Sequence, residues 1–506
     1  MAGIFTVGVW TLASRVLGFA RDILMTALLG SGPVYEAFFV AFSLPNMFRR
    51  FFAEGAFNPA FVPMFSKKLE AKADAKGFAQ EAFNALAWVL IAFTLLAMLA
   101  MPFLVLAMAS GFWGDARFDM AVLYGRIAFP YILFISLAAL LSGLLNATGR
   151  FAAAAAAPVL LNVLFVATLL FAYGQGWDLG LTAAWTVPVA GIAQLVLVWE
   201  AARRIGFGLS LGWPRISPEV KRLAVIVAPA ALAGGVVQIN LLVGRQVSSF
   251  FDGAIVWLSV ADRLYQLPLG VVGIAIGVVL LPTLSRRLQA EDSAGGREAF
   301  NRASEISLAL TLPAAVALCV IPVPLVSVLF QRGAFTPEDT AATALVLAIY
   351  GAGLPAFVLQ KVLQPLFFAR EDTRSPFGYA LVAMLVNAAV AVGLAPVIGY
   401  TAAVMATTVA AWAMVWLLWR GSRRMGAVAA FDARFKTRLP RIVLSSLIMG
   451  GVLFGAAQLL SGLLYADTVR YLALAGLVGS GIAAYFGAAH VTGALKLSEI
   501  RATLRR

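Results

Sequence analysis

An apolar run from Ile4 to Leu29 is interrupted by three charged side chains, Arg15, Arg21 and Asp22. The run is long enough to cross a bilayer as a helix. On that helix Thr11, Ser14, Arg15, Gly18, Arg21, Asp22 and Met25 recur at steps of three and four, which places them on one face. Val9, Trp10, Leu12, Val16, Leu17, Phe19, Ile23 and Leu24 make the remainder apolar. A charge at the bilayer centre costs about 2.5–3.5 kcal/mol even on insertion-based scales, so these charges must meet water or one another. An Arg–Asp clamp between helices needs a single guanidinium. Two guanidiniums suit the wall of a hydrated, cationic cavity, and the chemistry of such a cavity is anion binding. Guanidinium forks pair bidentately with phosphate or carboxylate, and more than one fork suits a diphosphate.

Further candidates lie along the chain. Glu36 opens the second apolar span, where it either answers the arginines electrostatically or is a solvated acid at a helix N-terminus. Arg49 and Arg50 follow Pro45 at the far end of the same span, as topology anchors or as residues at a substrate entrance. Asp262 and Arg263 form an intramembrane charge pair just before Pro268. Lys361, with Gln360 beside it and Gln364 three residues on, adds a short polar stripe. Arg126 and Arg245 suit snorkelling near span ends, and His490 is read as interfacial. There is no Walker loop, no CxxC pair and no His-rich spacing, so no catalytic residue, no metal site and no cofactor is expected. The single cysteine, Cys319, excludes an intrachain disulfide.

The elements that must position these residues follow from composition. The chain has 506 residues, 62% of them hydrophobic and 12% charged, with a mean hydropathy of +0.91. That balance describes an all-α polytopic membrane protein. The N-terminus carries no basic region or cleavage site, so no cleaved signal peptide is expected. Fourteen transmembrane helices are expected, near 5–29, 34–60, 80–110, 119–146, 153–173, 182–202, 223–250, 254–284, 303–330, 340–368, 377–397, 400–420, 440–462 and 469–491. Pro45, Pro268, Pro355 and Pro365 are expected to break or kink their helices. Most of the 38 lysines and arginines fall in the even-numbered connections, in the span ends beside them and in the C-terminal tail. The positive-inside rule then places both termini in the cytoplasm and explains the formal charge of +14 without nucleic acid.

The chain also repeats itself. Val62-Pro63-Met64-Phe65-Ser66-Lys67-Lys68-Leu69 returns as Leu281-Pro282-Thr283-Leu284-Ser285-Arg286-Arg287-Leu288, and Leu44-Pro45 returns as Leu267-Pro268. Tyr124-Gly125, Pro130 and Asn162 return as Tyr350-Gly351, Pro355 and Asn387. The near-constant offset of about 220 residues marks an internal duplication. Two parallel-repeat six-helix halves, 1–215 and 216–425, are therefore expected around a central cationic cavity, with 426–506 holding two extra C-terminal helices and a cytoplasmic tail. Parallel repeats of this kind characterise alternating-access transporters.

Four stretches carry a family likeness: Ser14-Arg15-Val16-Leu17-Gly18-Phe19-Ala20-Arg21-Asp22, Leu44-Pro45-Asn46-Met47-Phe48-Arg49-Arg50, Ala53-Glu54-Gly55-Ala56-Phe57 with Ala60-Phe61-Val62-Pro63, and Ala261-Asp262-Arg263. They resemble the MurJ (MviN) family of lipid II flippases, over essentially the whole chain. The resemblance implies membership of the multidrug/oligosaccharidyl-lipid/polysaccharide exporter superfamily. It implies flipping of the undecaprenyl-diphosphate-linked peptidoglycan precursor to the outer face of the bacterial cytoplasmic (inner) membrane. It further implies that Arg15, Arg21 and Arg263 are essential cavity arginines and that Arg49 stands at the cytoplasmic entrance. The family's Asp in the early second span falls on Glu36, a departure that keeps the charge on a longer side chain. Lipid II and membrane lipid are the expected partners, alongside other cell-wall synthesis proteins. Two alternatives are a flippase for another polyprenyl-linked oligosaccharide and a membrane enzyme acting on such lipids. The enzyme reading needs positioned acids or bases that this sequence does not supply. The energy source is left open between a coupling ion and the membrane potential, with Asp22, Glu36 and Asp262 as acidic groups that could take up a cation.

Overall fold

Short polar side chains set where the helices begin. Asp74, Asp115, Asp178, Ser217, Asp292, Thr336 and Asp432 each accept a hydrogen bond from a backbone N–H in the first turn of the helix that follows. That satisfies one donor that a helix start leaves orphaned. The computed structural model describes residues 2–49, 57–290, 292–466 and 468–494, and every regular element in them is helical. In chain order these are α1 (Ala2–Leu29), α2 (Pro33–Arg49), α3 (Phe57–Glu70), α4 (Ala75–Leu99), α5 (Met101–Met108), α6 (Ala116–Ala128), α7 (Tyr131–Ala147), α8 (Ala152–Gln175), α9 (Leu179–Arg204) and α10 (Pro218–Ser248). Then follow α11 (Ala254–Gln289), α12 (Ser293–Val320), α13 (Pro322–Phe330), α14 (Pro337–Phe368), α15 (Arg374–Ile398), α16 (Thr401–Ser422), α17 (Ala433–Leu459), α18 (Ser461–Leu464) and α19 (Arg470–Val491).

Among the described residues, ten helical stretches are long and apolar enough to cross a membrane. They comprise α4, α6 with α7, α8, α9, α12, α14, α15, α16, α17 and α19. The helices α1, α2, α10 and α11 are not among the ten. Those four carry Arg15, Arg21 and Asp22, then Glu36 and Arg49, then Arg245, then Asp262 and Arg263. Arg50, the stretch Ala53-Glu54-Gly55-Ala56 and the basic end with Arg505 and Arg506 lie outside the described residues.

Breaks do not fall at the prolines singled out above. Pro45 lies inside α2, Pro268 inside α11, and Pro355 and Pro365 inside α14. Neighbouring helices can compensate the backbone groups that a proline frees within a membrane protein. Breaks fall instead at Ala100, between α4 and α5, and at Ile321, between α12 and α13. At both places a proline occupies the first or second position of the short helix that follows, where its missing N–H is harmless.

Contacts group the chain into two units, Met1–Val256 and Trp257–Arg506. In the first, α1 packs on α8, α8 and α7 pack on α9, and α2 packs on α6. Phe57, Phe61 and Phe65 recur every fourth residue of α3 and stack at 5.6 Å, with Phe61 also stacked on Phe78 of α4. The segment 205–217 lies across α4: Gln80 and Asn84 bond the backbone of Ser210 and Gly212, and Trp88 stacks on Trp213 at 5.1 Å. The helix α10, which opens the second sequence repeat, belongs to this first unit.

In the second unit α14 lies between α12 and α16, α15 packs on α16, and α17 packs on α12 and α19. Leu284, Phe300, Val358, Leu366 and Leu418 form one buried cluster, and Ile321, Leu453, Leu477 and Tyr485 another. A buried ion network ties α12 to α17. Glu305 accepts from Arg302 and Arg438 and pairs with Arg434 at 3.3 Å. Tyr485 of α19 donates to the carbonyl of Ala309 at 2.5 Å.

Candidate functional site

The charged face of α1 divides in two. Arg15 and Arg21 stand six residues apart, about 120° around a helix of 3.6 residues per turn, so they leave it in different directions. Arg15 is exposed. Arg21 has only 12% of its side chain exposed and pairs with Asp22 at 2.7 Å. Its guanidinium carbon lies 5.5 Å from the centre of the Phe165 ring on α8. Gly18, one turn earlier, faces the Asn162 amide of the same helix. Asn162 Nδ2 donates to the carbonyl of Ser14 at 3.0 Å. The Ser14–Gly18–Arg21 side is therefore a packing seam against α8, while Arg15 is exposed. Phe165 also packs against Phe38 and Phe42 of α2, and Phe42 against Tyr131 of α7. A cation held against an aromatic face keeps its charge while losing part of its water shell.

Glu36 answers a different arginine from those of α1, and it is not solvated. It is 1% exposed. Arg117, in the first turn of α6, donates to it through Nη1 at 2.9 Å, and the backbone N–H of Ile255 donates to it at 3.3 Å. Arg117 also pairs with Asp115 at 2.5 Å and with Asp252 at 2.9 Å, and its guanidinium lies over Phe112. With Ser31, Gly32, Pro33 and Gly253 these groups line a polar pocket of about 310 Å³. Three carboxylates surround one guanidinium here, so the cluster is an ion-pair hub and offers no free positive charge to an anion. Burial pushes the Asp115 carboxyl up, but the backbone and side-chain hydrogen bonds from Arg117 outweigh it and hold the group below its ordinary range. The hub gathers the starts of α2 and α6 and the turn between α10 and α11. Beside it, Ser249 Oγ accepts from the N–H of Gly111, and Gln246 Oε1 accepts from the N–H of Ser110, each at 2.9 Å.

Arg117 is not among the residues that the sequence singles out. The available signal was local only: Asp115 and Asp119 flank an arginine at the start of an apolar span. Its main partner lies 81 residues away, beyond the reach of periodicity. Asn162 was noticed as a repeat marker, and the structure gives it a bonding role.

In the second unit, Arg263 is exposed and Asp262 accepts a short hydrogen bond from Gln266 one turn on. Tyr265, on the neighbouring turn, stacks on Tyr350 at 4.7 Å and packs on Phe357 at 5.6 Å. That aromatic joint brings the Asp262–Arg263 stretch of α11 against α14, whose exposed Lys361 stands one turn beyond Phe357. Gln360 turns to α16 instead, donating to the carbonyl of Ala411 at 3.1 Å. Arg49, half-buried, ends α2.

A family model described as "Lipid II flippase MurJ" matches residues 25–473. The probable lipid II flippase MurJ of Rhizobium meliloti (strain 1021) is 45% identical over 516 aligned positions, covering 99% of this chain and 95% of that protein. Among solved structures, "Lipid II flippase MurJ, inward closed conformation" superposes with a TM-score of 0.78 at 23% identity, over 96% of this chain and 98% of that one. An inward-facing multidrug resistance MATE family transporter of the MOP superfamily gives 0.66 at 16% identity, over 82% of this chain and 95% of that one. These two structures establish a shared fold. From its sequence matches, spread over nearly its full length, the chain belongs to the MurJ family of lipid II flippases.

Proposed function

We propose that the protein carries lipid II from the inner to the outer face of the cytoplasmic membrane by alternating access. Family membership supports the substrate. The observation that carries the head-group chemistry is Arg21, a guanidinium kept largely out of water in an otherwise apolar helix by Asp22 and Phe165. Arg15 and Arg21 from one repeat and Arg263 from the other supply forks for the diphosphate, Arg49 and Arg50 receive the head group on entry, and Lys361 adds charge. Asp22 and Asp262 temper the arginines so that the anion can also leave. A diphosphate that binds one state better than the other shifts the conformational equilibrium, which a transport cycle requires. No resident cofactor is part of this proposal.

The layout proposed with it is fourteen spans, adding α1, α2, α10 and α11 to the ten apolar stretches. They form two six-helix repeats, 1–215 and 216–425, flanking a cationic cavity, with 426–506 outside the repeat. The matching breaks after α4 and α12, each followed by a proline, support the duplication. The tail of the substrate is proposed to lie along α17 and α19. Gly451 and Gly455 of α17, with Gly476 and Gly479 of α19, have nothing within 4 Å of an added Cβ, whereas Gly450 and Gly481 are packed against Val316 and Leu453.

Complementation of a flippase-depleted strain, with membrane levels measured alongside, tests the reading. Arg21→Ala and Arg263→Ala should each abolish growth at normal expression. The Lys replacements should rescue only partly, because an ammonium keeps the charge and loses the fork. Normal growth of both alanine variants would overturn the diphosphate clamp.

A further inference from the structure

The segment 205–217 does more than join α9 to α10. Together with α4, α7 and α9 it encloses an apolar pocket of about 420 Å³ whose lining includes Phe83, Ile91, Leu133, Leu137, Val196 and Leu211. We propose that this pocket seats one acyl chain of an anionic glycerophospholipid of the inner leaflet, with its phosphate at Arg203, Arg204 and Arg215.

Depth, rim and charge support that occupant. From Phe83 to Ile91 the pocket follows α4 for eight residues, about 12 Å at 1.5 Å per residue. That is close to the depth of one leaflet, half of a hydrocarbon core about 30 Å thick. All three helices are among those apolar enough to span the membrane, which suits the pocket to an acyl chain. Trp199, whose Nε1 donates to the carbonyl of Leu209, lines the pocket, and the same segment stacks Trp213 on Trp88 of α4. Tryptophans gather at the head-group level of a bilayer. The segment also turns Leu211, Trp213 and Ile216 outward, at 61%, 80% and 79% exposure. Such residues are stable there only if the segment rests in the membrane interface.

The rim is cationic. Arg203 lies over the Trp199 ring at 5.6 Å, and Arg203 and Arg204 share the single carboxylate of Glu200. Arg215 follows two residues after Trp213. One carboxylate between two guanidiniums leaves net positive charge at the end of α9, and Arg215 adds a further cation to the segment that follows it. The undecaprenyl tail of the substrate is far longer than one leaflet is deep and fits this closed depth poorly.

Native mass spectrometry of the purified full-length protein, titrated with phosphatidylglycerol, phosphatidylcholine or a polyprenyl diphosphate, tests the site. Phosphatidylglycerol should be retained over phosphatidylcholine of the same chains. Ile91→Trp, which fills the pocket, should lower that retention about tenfold. Leu211→Trp changes an exposed rim residue without touching the core and should act in the same direction. Arg203→Gln combined with Arg204→Gln should weaken phosphatidylglycerol about fivefold or more and leave phosphatidylcholine unchanged. Retention unaffected by both tryptophan variants would overturn the site, and equal retention of the two phospholipids would overturn its anionic character. Displacement of phosphatidylglycerol by the polyprenyl diphosphate would reassign the pocket to the substrate tail and overturn the phospholipid.

Discussion

Glu36 and Arg117 form a buried ion pair that joins the starts of α2 and α6. Both side chains are under one tenth exposed, and neither finds bulk water if its partner goes. Removing one member of a buried pair costs about 3–5 kcal/mol, because a charge is left without compensation. Arg117→Leu should therefore destabilise the protein by about that amount, having left Glu36 unanswered among Asp115 and Asp252. Adding Glu36→Leu to Arg117→Leu should recover part of the loss. Unfolding midpoints of the two single variants and the double variant in one detergent give the coupling directly; strictly additive losses would show that the two groups act independently.

Between α1 and α8 the scale is that of a helix seam. Asn162→Ala leaves the Ser14 carbonyl without its side-chain donor, and such interhelical bonds contribute about 0.6–1.7 kcal/mol in membrane proteins. Gly18→Ala should be tolerated, since its Cβ would meet the Asn162 amide at an ordinary 3.5 Å. Unfolding of the two variants in detergent should separate them, Asn162→Ala being the less stable. Gly111→Ala should be worse than either, because a Cβ there falls 2.5 Å from the backbone of Ser249 and must push the turn after α10 away. At the start of α17, burial pushes the Asp432 carboxyl up, yet the Phe435 N–H and the nearby Arg302 hold it below its ordinary range. Its contribution is accordingly full at neutral pH and is lost as pH falls below about 3.9 and through the depressed folded value. Asp432→Asn should flatten the acid limb of a stability–pH curve.

These elements also show what sequence could and could not convey. The apolar spans were legible because hydropathy and span length are local properties. The partner of Glu36 was not, because that pairing joins segments whose separation leaves no periodic trace. On α1, the spacing put Arg15 and Arg21 on one stripe; that α8 packs on Arg21 and leaves Arg15 exposed is a tertiary fact. At the four prolines singled out the helices continue, because a proline in a crowded bundle need not end a helix. The candidate arginines were legible as cations out of place, but their packing, above all Arg21 on Phe165, belongs to the tertiary structure.

For the molecule as a whole, the uneven distribution of its 38 lysines and arginines sets the orientation that the proposal requires. A fluorescent protein fused after Arg506 should fluoresce, and alkaline phosphatase fused there should be inactive. The reverse pattern would invert the topology and with it the leaflet assigned to the phospholipid.

The docking of α10 on the first unit also bears on how the chain is made. Gln246 and Ser249 bond to Ser110 and Gly111, 136 and 138 residues upstream, and Asp252 reaches back to Arg117. All of those partners have left the ribosome before α10 is synthesised. As it leaves the translocon, α10 can thus meet a surface that the first unit has already made. In ribosome-arrested chains just long enough for α10 to have emerged, a crosslink between positions 111 and 249 should form before the second unit has left the ribosome.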